Sequence, residues 1–89
     1  FLGSQVEVGE GPAAPLALRQ VRAARKVQTL SSRQLDVLRE MARGSLNKQI
    51  AWKLGLSEKT VKMHRGLLLR KLGVPTSADA IRLAIEAGL

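Results

Sequence analysis

The 89-residue sequence contains no cysteine and only one histidine. Disulfide staples, thiolate metal sites and thiol nucleophiles are therefore excluded, and a structural zinc site has no ligand set. Tyrosine is absent, and one Phe and one Trp are the only aromatics. Stacking of single-stranded bases on an aromatic platform thus lacks its material. No apolar run approaches the roughly 20 residues that span a bilayer. The opening Phe1-Leu2-Gly3-Ser4 has no basic n-region, no long apolar h-region and no initiator Met, so it is not a secretory signal. The sequence reads as a piece of a longer chain, with Gly3-Ser4 as a cloning scar. No nucleophile–base pair or paired carboxylate accompanies the lone histidine, so no enzyme, cofactor or metal is expected.

What is abundant is positive charge. Lys and Arg number 15 against 7 Asp and Glu, a net charge of +8. Such an excess favours a polyanionic partner, nucleic acid or an acidic membrane surface. The apolar stripes are all needed for a core in so short a chain, which argues against a membrane anchor. The expected setting is the cytoplasm.

Residues 1–15 are rich in Gly, Pro and Ala without sustained periodicity, and read as a flexible tail or linker end. From Leu16 the composition turns to helix formers, predicting a linker helix over residues 16–29. Arg19, Arg22 and Lys26 fall on one face of it and Leu18 and Val21 nearer another. Two readings stand: a solvated spacer, or a helix that touches DNA or a second subunit.

The domain proper is expected over residues 30–89, all-α, with four helices. Ser31 with Gln34 forms a capping-box pattern, with Leu30 as its staple. Leu35, Leu38, Met41 and Ala42 follow at helical spacing, and Gly44 stands at the C-terminal cap. Asn47 is placed to cap a helix over Lys48 to Leu54, with Ile50, Ala51 and Leu54 inward. Ser57 caps the next, Glu58 to Leu72, which Gly73 and Pro75 end. Thr76 or Ser77 caps the last, with Ile81, Ala84 and Ile85 inward and Gly88 at its end.

A short helix, the turn Gly55-Leu56-Ser57 and a longer helix make a helix-turn-helix layout, whose second helix enters the major groove of DNA. At 100° per residue, Val61, Leu68 and Leu72 cluster within about 40° and define a buried stripe. Lys59, Lys62, Met63, Gly66 and Arg70 take the opposite side. Lys62 can reach guanine O6 and N7, and Met63 a thymine methyl. Gly66 costs a helix interior about 1 kcal/mol relative to alanine, and on this face lets the backbone approach the groove closely. These three are the candidate base readers. Lys48, Gln49, Ser57, Lys59, Thr60, Arg65 and Arg70 are the candidate phosphate contacts. His64 borders the buried stripe and reads as a packing and hydrogen-bonding residue. Trp52 reads as a packing residue that shields a helix junction.

The stretch Leu30 to Leu89, about two-thirds of the chain, resembles the LuxR-type helix-turn-helix domain. The resemblance rests on Leu30-Ser31, Arg33, Asp36-Val37-Leu38, Gly44, Asn47-Lys48-Gln49-Ile50-Ala51, Leu54, Leu56-Ser57-Glu58-Lys59-Thr60-Val61-Lys62, His64 and Lys71-Leu72-Gly73-Val74. Val61 to Gly66 and Ala78 to Ala84 look closest to the FixJ branch of response-regulator output domains. Many relatives carry Glu where Gln34 stands, so an ion pair there is lost although the capping box is not. Many also carry Arg where Ser77 stands, as the FixJ-like branch does not.

The resemblance implies that the last helix, through Ile81, Arg82 and Ile85, is available for dimerisation, that a receiver domain precedes the linker helix, and that the chain acts at the bacterial nucleoid. The expected function is sequence-specific binding of double-stranded DNA by a homodimer in transcription regulation, with RNA polymerase as a further contact. The alternatives are a sigma-factor-type promoter-binding module and a basic helical protein-interaction module.

Overall fold

The computed structural model describes residues 15–89; the tail expected over residues 1–15 lies outside them except for Pro15. The described residues form five helices: α1 (Leu16–Gln28), α2 (Ser32–Ala42), α3 (Asn47–Leu54), α4 (Glu58–Leu72) and α5 (Ser77–Glu86). All-α architecture is as expected, a helix-turn-helix unit preceded by a linker helix. Among the described residues no helix is long and apolar enough to cross a membrane.

Local chemistry sets the helix ends. Ser31 Oγ accepts from the Gln34 amide at 3.2 Å and Gln34 Oε1 accepts from the Ser31 amide at 3.0 Å, so two orphan donors of α2 are satisfied reciprocally. Thr76, rather than Ser77, caps α5, its Oγ1 accepting from the Asp79 amide at 3.2 Å. The cap of α3 departs from expectation. Asn47 is the first helical residue and does not cap; the cap residue is Leu46, whose amide donates to Gln49 Oε1 at 2.8 Å.

Packing follows the apolar stripes. α2 lies against α4 and α5, α3 against α4, and α1 against α5 and α4. The core holds Val27, Val37, Leu38, Met41, Ile50, Ala51, Val61, Leu68, Leu72, Ala80 and Ala84. Each fully buried Leu contributes about 1.5–3 kcal/mol relative to exposure. In α2 the buried face is Gln34, Val37, Leu38 and Met41; Leu35 and Ala42, expected inside, pack at its edge. In α5 the buried pair is Ala80 and Ala84, while Ile81 is half-buried and Ile85 is 61% exposed. Two alanines let α5 approach its neighbours closely, which leaves the bulkier isoleucines at the rim.

α1 is not the solvated spacer that was one of its two expected readings. It packs on the domain through Ala23 and Val27, which are 3% and 8% exposed, while Val21 faces out. The Arg19, Arg22 and Lys26 stripe borders the packed face rather than opposing it. These residues line a cleft between α1 and α5 together with Leu83 and Glu86, and Arg19 reaches Glu86 of α5 at 3.9 Å. Lys71 Nζ of α4 donates to the Thr29 carbonyl at 3.3 Å, which fastens the end of α1 to the end of α4.

A buried acid that the periodicity did not reveal joins α2 to α3. The Glu40 carboxylate accepts from Arg43 NH1 at 2.8 Å, Ser45 Oγ at 3.0 Å and Lys53 Nζ at 3.1 Å. These partners hold its carboxyl below the usual carboxylate range, the Lys53 hydrogen bond first, against the opposing effect of burial.

Candidate nucleic-acid interface

The interface is built on α3, the turn and α4. Gly55 adopts φ +69, the left-handed conformation that ends α3. The Leu56 amide then turns back to the Ala51 carbonyl at 2.9 Å, and the Leu56 side chain packs against the core. Ser57 opens α4 by accepting from the Thr60 amide at 3.0 Å, and its hydroxyl lies 2.9 Å from Thr60 Oγ1. Glu58 in the first turn of α4, and Arg70 and Lys71 in its last, suit the helix dipole at both ends.

The two sides of α4 separate as the wheel predicts. Val61, Leu68 and Leu72 are buried. Lys59, Lys62, Met63 and Arg70 are exposed and Gly66 is half-buried. A methyl group added at Gly66 would meet nothing within 4 Å, so no neighbour within the protein requires glycine there. Lys48 and Gln49, at the start of α3, are also exposed.

Ion pairing sorts the cations into two groups. Arg19, Arg33, Arg43, Lys53 and Arg82 all pair with carboxylates. Lys48, Lys59, Lys62 and Arg70 have no carboxylate partner among the described residues. These four lie on α4's outward side and at the start of α3. Such a surface can bind anionic groups without first breaking an internal ion pair. Arg25 and Lys26 of α1, Arg39 of α2 and Lys71 of α4 also lack a carboxylate partner among the described residues, away from that row.

The surroundings of Arg65, His64 and Trp52 add what the sequence did not announce. Arg65, grouped with the phosphate contacts, is half-buried and turns into the protein: NH1 donates to Asn47 Oδ1 at 2.8 Å and NH2 to Ser77 Oγ at 2.9 Å. His64 is half-buried as expected, but its buried Nδ1 has no hydrogen-bond partner, so it packs without bonding there. Trp52 shields no junction; it is 86% exposed beside Lys48, Gln49 and Lys53. Residues 48, 49 and 52 share the outward side of α3, a position readable from the wheel. The Arg65 bonds span 18 and 12 positions, and no local pattern announces them. On α5, Ile81 is half-buried, Ile85 is exposed and Arg82 pairs with Asp79 at 2.7 Å.

Sequence comparison agrees with this geometry. The family described as bacterial regulatory proteins, luxR family, matches residues 28–84. The chain is similar to nodulation protein W of Bradyrhizobium diazoefficiens, 42% identical over 62 residues, covering 70% of this chain and 27% of that protein. It is similar to the nitrate/nitrite response regulator protein NarP of Escherichia coli, 51% identical over 57 residues, or 64% of this chain and 26% of the relative. A nitrate/nitrite response regulator protein homolog of Haemophilus influenzae is 42% identical over 71 residues, or 80% of this chain and 34% of the relative. The chain therefore spans about a quarter to a third of the length of these relatives. Matched over most of its length and folded around a helix-turn-helix with an unpaired basic face, the chain belongs to the luxR family of bacterial regulatory proteins, a family of DNA-binding transcription regulation.

Proposed function

We propose that this chain is the output domain of a two-component response regulator and reads a specific duplex sequence with α4 in the major groove. The observation that carries this reading is the row of unpaired cations on α4, opposite the Val61, Leu68 and Leu72 stripe that anchors the helix. In this reading Lys62 and Met63 touch base edges, and Gly66 admits the helix backbone. Lys48, Gln49, Lys59, Thr60 and Arg70 hold phosphates, with Ser57 chiefly the cap of α4. Thr60 keeps its hydroxyl at the rim of the interface, and Gln49 keeps its amide NH2 beyond the Leu46 bond.

Two copies would meet through α5, at Ile81, Ile85 and Arg82. On the α5 wheel, Ile81 and Ile85 lie well away from Asp79, Leu83 and Glu86, which border α1 together with Arg82, so α1 leaves the isoleucine side open with Arg82 at its boundary. The dimer would set two α4 helices on half-sites about 34–36 Å apart. Relatives bearing response-regulator names support a receiver domain ahead of α1, with phosphorylation controlling pairing or unmasking, and the nucleoid is the place of action.

Selection of bound sites from a pool of random duplex DNA tests the reading. The expected product is an inverted repeat with half-site centres about ten base pairs apart. Enrichment only in the presence of RNA polymerase would replace this reading with a promoter-binding module. No enrichment at low salt, with tight binding to an acidic protein, would replace it with a protein-interaction module.

A further inference from the structure

Arg65 is on the recognition helix, yet its guanidinium is turned toward the first residues of two other helices. Asn47 opens α3 and Ser77 opens α5, and both side chains accept from Arg65, at 2.8 Å and 2.9 Å. A cation beside two helix N-termini has the wrong sign for both dipoles, so simple electrostatic stability does not account for an arginine here. The fork geometry does. NH1 and NH2 diverge in one plane and reach two acceptors at once, which a lysine ammonium cannot reproduce.

We propose that Arg65 is a positioning residue for DNA reading, fixing the angle of α4 against α3 and α5 so that Lys62 and Met63 meet base edges in register. This rests on the DNA-reading function proposed above. The apolar contacts of Ile50, Ala51 and Val61 hold these helices together but are non-directional. The two hydrogen bonds supply direction, from a site one turn of helix beyond Lys62. A displacement of about 1 Å between reading helix and base edge is enough to lose a bidentate contact, whereas phosphate attraction tolerates it. Arg65 therefore acts on specificity more than on attraction.

The test measures affinity for the selected site and for random duplex at one salt concentration, at a temperature where melting curves show every variant folded. Arg65→Lys keeps the charge and removes the fork; Asn47→Ala removes one acceptor and no charge. Both should weaken the selected site by about tenfold and leave random duplex within about twofold. The double variant should lose less than the two single losses combined, because they share one contact. Equal losses on both duplexes, or no loss on either, would overturn the inference. So would an Arg65→Gln variant that loses affinity on both and lowers the salt slope by about one, since that marks a phosphate contact. Should the wild-type chain show no site preference, the DNA-reading function itself fails; preference in the wild type with unaltered discrimination in the variants rejects Arg65 alone.

Discussion

Replacing Gly66 with alanine should move stability and DNA binding in opposite directions. Glycine in a helix interior is less favourable than alanine by about 1 kcal/mol, and Gly66 sits in the middle of α4. Nothing lies within 4 Å of the position a Cβ would take, so no clash offsets that gain. The free Gly66→Ala protein should be more stable by about 1 kcal/mol, raising Tm by roughly 4–8 °C in a domain of this size. In the proposed DNA complex the same methyl group would meet the groove wall. Forcing one methyl into a closely packed contact costs about 1–3 kcal/mol, or roughly five- to 150-fold in affinity. Thermal unfolding followed by circular dichroism, and titration of the selected duplex, read the two effects separately. A variant that melts higher and binds unchanged would show that α4 does not approach DNA at Gly66. A variant that melts lower would refute the assignment of Gly66 as a cost to the free helix.

Lys62→Ala should weaken the selected site by about 1–3 kcal/mol and random duplex far less; an equal loss on both, in a filter-binding or anisotropy titration, would make Lys62 a phosphate contact. Ile85→Asp, at a position 61% exposed, should leave Tm nearly unchanged while abolishing cooperative occupancy of paired half-sites in a gel-shift assay. Glu40 predicts an acid-side stability loss. Its folded-state carboxyl titrates below the ordinary carboxylate range, chiefly through the Lys53 hydrogen bond, so in mild acid the unfolded chain binds more protons than the folded one. The contribution is therefore complete above the ordinary carboxylate value and disappears as pH falls through the lowered one. Glu40→Gln should flatten that limb of a Tm-against-pH curve, and an unchanged slope would remove Glu40 from the account.

Much of this protein was legible locally. Ser31 with Gln34, Ser57, Gly44, Gly55 and Gly73 mark helix ends through bonds spanning a few residues, and those bonds form in any context that allows the helix. Likewise Val61, Leu68 and Leu72 recur at the helical period, so the inward side of α4, and by opposition its basic outward side, follow from spacing alone. The order of short helix, turn and long helix needed nothing further.

The tertiary structure decided what depends on partners distant in sequence. Asn47 looked like a cap because caps are read from neighbours; in the fold its oxygen accepts from Arg65, 18 residues away. Glu40 carries no local signal of burial; its carboxylate is held by Arg43, Ser45 and Lys53, the last 13 residues on. Trp52 reads as a shield over a helix junction, but burial of Ile50 and Ala51 turns it outward to solvent. Likewise α1 showed a charged stripe, but only the small Ala23 against α5 determined that this stripe would border a joint. Periodicity specifies which side of a helix is apolar. Which helix meets it, and which polar groups are carried into the seam, is set by long-range packing.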